Sequence, residues 1–144
     1  YLEEHIAQKK SIYERYKEGL KNLPIEMNPF DGEKSKPNYW LSCMLIKEEA
    51  MCEQFRSDRE AFYTSEMGKS CPTEILETLA RYNAEGRPIW KPMHLQPVFK
   101  DYDYIDNDAT SERLFNNGVC LPSDTKMSDE DLNRICKIIK GLWE

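Results

Sequence analysis

Asn38-Tyr39-Trp40-Leu41-Ser42-Cys43-Met44-Leu45-Ile46-Lys47 decides the fold class. The run is aromatic and aliphatic almost throughout, and it is bounded by Pro37 and by Glu48-Glu49. Such residues favour a pleated strand. A strand that is apolar on both faces belongs inside a sheet covered on both sides. The rest of the chain must therefore supply neighbouring strands and covering helices.

Upstream, residues 1–22 predict a long helix. Leu2, Ile6, Tyr13, Tyr16 and Leu20 keep a roughly helical spacing, interrupted by Lys9. Glu3, Glu4, Lys10, Glu14 and Lys17 make the polar face, Gly19 weakens the last turn, and Pro24 ends it. Such a helix is roughly 33 Å long at 1.5 Å per residue. That is long for one small domain, so residues 1–24 are expected to be a lead-in helix that also packs against something outside this chain. Tyr1 stands where a start methionine would, and the expectation is a chain that begins inside a longer protein.

Downstream, Asn28 to Pro37 is turn-rich. Met51, Phe55, Phe62 and Tyr63 form a broken helical stripe, which predicts a helical insertion near 48–71 with a loop around Gly68. Thr73 is the expected cap of a helix through Asn83, buried by Ile75, Leu76, Leu79 and Tyr82 and stopped by a left-handed Gly86. Arg87–Trp90 predicts a short strand, Asp101–Asp108 an exposed acidic loop, Ser111–Asn116 a helical turn, and Val119–Pro122 another short strand. Ser128 opens the last helix, with Leu132, Ile135, Ile138, Ile139 and Leu142 on its apolar face. The order implies a small α/β domain over residues 25–144, with about three mostly antiparallel strands covered by helices.

Composition narrows the function. The chain has 144 residues, a net charge of −6 and a mean hydropathy of −0.76. No apolar run approaches the roughly 18 residues of a membrane span, and the acidity argues against nucleic acid as a partner. Five cysteines, an odd number without Cys-x-x-Cys spacing, suggest free thiols in a cytoplasmic protein rather than a metal site or disulfide framework. No phosphate-cradling glycine loop and no persuasive catalytic triad are present.

Chemistry concentrates in Gly86-Arg87-Pro88-Ile89-Trp90-Lys91-Pro92-Met93-His94-Leu95-Gln96-Pro97-Val98-Phe99. From Arg87 to Lys100 there are three basic residues, Arg87, Lys91 and Lys100, and no acidic one, so the remainder of the chain sums to −9. Such an island suggests a local anion site. Pro88, Pro92 and Pro97 stiffen the backbone. A stiff loop holds Arg87, Trp90, Lys91, Met93, His94 and Gln96 in fixed places, as small-ligand recognition requires. The competing expectation is a proline-rich connection whose Trp and Phe simply enter the core. Taken alone, these residues favour a ligand-binding module over a self-contained catalyst.

NYWLSCMLI, EILETLARYNAEGRPIWKPMHLQPVF and LFNNGVCLPSDTKMSDEDLNRICKII together resemble the C-terminal domain of the DegT/DnrJ/EryC1/StrS family of pyridoxal-phosphate-dependent nucleotide-sugar aminotransferases. The resemblance covers nearly the whole chain, and the RPxWKPMHxQP run and the CLPS…M…D segment are its most specific parts. It implies the small domain of the aspartate-aminotransferase-like type I fold, preceded by a large domain that carries the cofactor and the Schiff-base lysine. It also implies a homodimer that moves an amino group, usually from glutamate, onto a nucleotide-linked keto sugar. No lysine here matches the Schiff-base lysine, so no catalytic residue, bound cofactor or activity is expected of these 144 residues alone. By residue type, Arg87 and Lys91 suit a diphosphate or carboxylate, Trp90 and Met93 a sugar or uracil face, and His94 and Gln96 sugar hydroxyls. A same-family sugar dehydratase and a non-enzymatic sugar-nucleotide binding or regulatory module are the alternatives. Residues 48–71 are longer than the family's usual connection.

Overall fold

The computed structural model describes residues 1–105 and 108–144. In chain order its elements are α1 (Leu2–Gly19), β1 (Ile25–Met27), β2 (Ser42–Ile46), β3 (Gln54–Arg56), β4 (Ala61–Tyr63), α2 (Pro72–Arg81), β5 (Arg87–Pro88), α3 (Thr110–Asn117), β6 (Gly118–Leu121) and α4 (Asp129–Lys140). Four strands form an antiparallel sheet in the order β1-β2-β6-β5, and β3 pairs with β4 in a separate hairpin. The expected α/β class stands, with one strand more in the main sheet than the sequence suggested. The extra strand, β1, is only three residues long and directly follows Pro24, too short to show a period.

The stretch from Asn38 to Lys47 does supply a central strand, but the strand begins at Ser42. Asn38 Oδ1 accepts the Trp40 N–H at 3.0 Å, and Tyr39 takes a left-handed φ of 55°. This turn breaks the extended run and leaves Trp40 62% exposed. Within β2 the residues alternate between two covered faces. Met44 and Ile46, with Val119 and Leu121 of β6, meet Tyr16 and Leu20 of α1, Ile75 and Leu79 of α2, and Leu132, Ile135 and Ile139 of α4. Each such buried side chain contributes on the order of 1.5–3 kcal/mol. On the other face lie Cys43, Leu45, Gly118 and Cys120, with α3 packed against β2 and β6.

The start of α1 is undocked, and the helix meets the domain from Lys9, whose Nζ donates to Ser123 O, onward. Ile12, Tyr13, Tyr16 and Leu20 are buried, whereas Tyr1 and Leu2 are exposed. The helix ends at Gly19, not at residue 22. Its neighbour is α4: Arg15 bonds Asp129 and Asn133, and Tyr16 Oη donates to Pro122 O at 2.7 Å.

The helical insertion near 48–71 is corrected. The segment is one 3-10 turn, Glu48–Ala50, followed by the β3–β4 hairpin. Phe55 and Phe62 are direct cross-strand partners with stacked rings 4.9 Å apart. Their pairing across a turn produced the spacing that resembled a helical stripe. Ser57 Oγ accepts from the N–H groups of Arg59 and Glu60 and shapes that turn.

α2 starts at Pro72 with Cys71 as its N-cap, so Thr73 is not the cap. Proline suits the first helical position because its missing N–H would be unpaired there anyway. Thr73 instead donates its N–H and hydroxyl to Gln54 Oε1. The left-handed stop is Asn83, φ 57°, and not Gly86. Gly86 answers a different need: a Cβ there would lie 2.9 Å from Leu76 Cδ2 and 3.0 Å from Leu79 Cδ1. The expected start of α4 is met, with Ser128 and Asp131 forming a capping box. All five cysteines are unbridged. No helix among the described residues is long and apolar enough to cross a membrane. The expected acidic loop is exposed from Asp101 to Ile105 and at Asp108, while residues 106–107 lie outside the described residues.

Candidate functional site

β5 is an edge strand of two residues, where Pro88 cannot extend the ladder. The chain then peels away from β6, so the expected strand to Trp90 is cut short. Between the departing segment 89–91, the end of β6, α4 and Trp40 lies a groove of about 860 Å³. Arg87, Trp90 and Lys91 line it, together with Trp40, Asp124 and Arg134. Trp40 and Trp90 stand at its mouth with ring centroids 6.1 Å apart and planes tilted by 36°. Trp90 is 63% exposed, so the expectation that it simply enters the core fails.

Met93, His94 and Gln96 lie outside the groove lining, on a 3-10 turn and its end. The structure therefore separates the six candidates into two groups. Gln96 Nε2 donates to Lys91 O at 3.1 Å and fastens the turn back onto the groove. His94 Nε2 meets Glu112 Oε1 of α3 at 2.8 Å, and its ring stacks on Tyr104 at 3.6 Å. Tyr104 Oη in turn bonds Ser111 Oγ at 2.9 Å. Met93 is exposed.

Two of the island's three cations, Arg87 and Lys91, are paired with acids. Arg87 pairs with Glu85 at 2.7 Å, and Lys91 Nζ donates to Asp58 Oδ1 at 2.7 Å. Asp58 sits in the hairpin turn, so residues 48–71 reach the candidate loop. The hairpin also holds α3. Arg56 donates to Phe115 O at 2.9 Å with its guanidinium 4.4 Å from the Phe115 ring, and Gln54 Nε2 donates to Asn116 O at 2.7 Å. These donors satisfy carbonyls that the end of α3 leaves open. Asp58, Glu112, Tyr104 and Trp40 all bear on the site and none was singled out from the sequence.

A profile of the DegT/DnrJ/EryC1/StrS aminotransferase family matches residues 1–140. The chain belongs to that family. EpsN of Bacillus subtilis, a protein that carries the name of a pyridoxal phosphate-dependent aminotransferase, is 30% identical over 99% of this chain and 32% of its own length. GDP-perosamine synthase of Vibrio cholerae is 23% identical over 96% of this chain and 32% of its own. Among solved structures, DesI in the presence of its TDP-sugar product superposes with a TM-score of 0.72 at 18% identity, covering 98% of this chain and 32% of that one. The chain thus spans about a third of the length of the relatives it matches, and over that third it has the fold of solved aminotransferases.

Proposed function

We propose that these residues are the small domain of a pyridoxal-phosphate-dependent enzyme that moves an amino group from an amino acid, glutamate, onto a nucleotide-linked keto sugar. The family match over residues 1–140, which includes the RPxWKPMHxQP loop, is the observation that carries this reading. Relatives named for a TDP-sugar product and for perosamine linked to GDP support the substrate class.

The residues of this chain do not fit the cofactor itself. A Schiff-base lysine needs an amine that is free and readily deprotonated, whereas Lys91, the lysine of the groove, is held by Asp58. The cofactor lysine is accordingly assigned to a further, larger domain, and these residues have no transfer activity by themselves. The active assembly is a cytoplasmic homodimer in this reading.

The groove suits a nucleotide sugar. Lys91 and Arg87 exchange their carboxylate partners for a diphosphate, where charge-assisted bonds are strong. Trp90 offers a ring face to base or sugar, and Met93 adds apolar contact. His94, anchored to Glu112 outside the groove lining, reads a sugar hydroxyl of a ligand that extends past Lys91. Gln96 fixes the distance between the two groups of residues.

The test is made in the full-length enzyme. Lys91→Ala should weaken the half-reaction with the sugar nucleotide by roughly 10- to 150-fold, since a hydrogen bond to a charged group is worth about 1.5–3 kcal/mol, and His94→Ala by roughly 2- to 12-fold, since one to a neutral hydroxyl is worth about 0.5–1.5 kcal/mol. The half-reaction with glutamate should change far less. Stopped-flow traces of the two halves decide; equal losses in both would refute the assignment of these residues to the sugar nucleotide.

A further inference from the structure

β2 and β6 bring two thiols together beside the groove. Cys43 and Cys120 are register partners, and their sulfurs are 3.7 Å apart. The main chain of Cys43 is turned the other way: its C=O accepts Asn28 N–H at 2.9 Å, and its N–H donates to Asn28 Oδ1 at 2.5 Å. Cys43 and Cys120 therefore form a non-hydrogen-bonded cross-strand pair, whose Cα atoms are typically about 4.5 Å apart. Disulfides span Cα separations of about 4.4–6.8 Å. Rotation of the two side chains is enough to close the bond while the sheet keeps its register.

We propose that Cys43 and Cys120 form a reversible dithiol–disulfide site that exchanges with small-molecule disulfides of the glutathione class. Both ends are reachable, because Cys43 is half-buried and Cys120, though buried, lines the groove. The Cys43 S–H bond to Cys120 holds the Cys120 thiol below its usual range, so Cys120 ionises first. Its thiolate attacks one sulfur of oxidised glutathione, forms a mixed disulfide and expels one glutathione thiolate. The hydrogen bond to Cys120, and then burial, hold the Cys43 thiol above its usual range. The mixed disulfide removes that hydrogen bond, and Cys43 then gives its proton to water and attacks the Cys120 sulfur, which closes the 43–120 bond and expels the second thiolate. Two protein thiols are oxidised and one glutathione disulfide is reduced to two thiols, with no other reactant.

A second thiol pair lacks these features. Cys52 and Cys71 adjoin one another but are 3% and 0% exposed. Burial, and then the hydrogen bond with Cys71, push the Cys52 thiol up to about 12. Neither Cys52 nor Cys71 lines the groove, which is where Cys120 meets a small disulfide.

Closure is felt in the groove. Cys120 is in register with Arg87 across β5 and β6, and its sulfur lies 4.0 Å from Pro88 O. Forming the bond draws that sulfur away from the strand that carries Arg87.

The inference is independent of the proposed reaction, and so is its test. The full-length protein is equilibrated in buffers of graded reduced-to-oxidised glutathione ratio, its free thiols are trapped by alkylation, and its peptides are mapped. Cys43 and Cys120 should lose alkylation together, a peptide linked through both should appear, and dithiothreitol should reverse the change. In Cys43→Ser the linked peptide should vanish and Cys120 should carry glutathione instead. If the wild-type protein in the most oxidising buffer keeps both thiols, links either to another cysteine, or fails to recover under reductant, the proposal is overturned. The wild-type series decides this even if the variant folds poorly.

Discussion

Tyr16 shows what a single buried polar atom does here. Its ring is fully buried between sheet and helices, and its hydroxyl donates to Pro122 O. Burial first, then the neighbouring Cys136 and Asp131, hold that hydroxyl far above the ordinary phenol range, so it stays a neutral donor. Tyr16→Phe keeps the ring and removes the donor, leaving the Pro122 carbonyl without that partner. The expected cost is about 1–3 kcal/mol, seen as a lower urea midpoint at unchanged slope. An unchanged midpoint would show that water replaces the bond. The candidate loop obeys the same logic. Its prolines, Trp90 and Lys91 are legible in the sequence as a stiff cationic segment. Their acids are not, because Asp58 lies 33 residues from Lys91 and Glu112 lies 18 residues from His94. Local charge sums cannot see partners that only the fold delivers, and so the island looks more cationic on paper than in space.

Among elements, α4 was the easiest to read. Ser128, the acids after it and the apolar stripe all point to one helix, and its capping box is formed on both sides. Ser128→Ala should cost about 0.5–2 kcal/mol at neutral pH. The Ser128 side chain, then its N–H, holds the Asp131 carboxylate below its usual range. A depressed folded pKa stabilises the fold above the unfolded value, near 3.9, and the gain is lost as pH falls through the folded value. The stability gap between wild type and Ser128→Ala should therefore narrow in urea melts below about pH 4. A gap that stayed constant would mean that the hydroxyl acts without the carboxylate. The junction of α3 and β6 was hidden by comparison. Gly118 reads as an ordinary helix stop, yet a Cβ there would fall 2.5 Å from Leu114 O and 2.7 Å from Ile89 Cγ1. A backbone carbonyl cannot step aside, so Gly118→Ala should destabilise by about 1–3 kcal/mol, as overpacking does. A thermal midpoint equal to wild type would contradict this. The β3–β4 hairpin was misread for the opposite reason: its signal was clear but ambiguous, since Phe55 and Phe62 satisfy a helical period as well as a cross-strand pair.

At the scale of the whole molecule, apolar surface is unevenly spent. Trp40, Trp90, Met93, Val98 and Tyr102 are exposed around the groove and the loop beyond it, and Tyr1 and Leu2 are exposed at the start of α1. Exposed clusters of this kind mark interaction surfaces. The chain by itself should therefore self-associate, and sedimentation over a concentration series should show a rising average mass. Amides of residues 12–19 should exchange slowly, and those of residues 5–9 faster unless association covers them. A strict monomer with even protection along α1 would contradict both statements.

The pairing of α1 with α4 also has a temporal side. The inward face of α1, with Ile12, Tyr13, Tyr16 and Leu20, is closed partly by Leu132, Ile135 and Ile139, near the far end of the sequence. During synthesis at roughly 5–20 residues per second, that face waits on the order of 5 to 20 s for its covering helix to leave the ribosome. Through that interval α1 is an amphipathic helix without its mate, which is the form of nascent chain that holding chaperones recognise. The inward face of α1 is complete only once residues 132–139 have emerged.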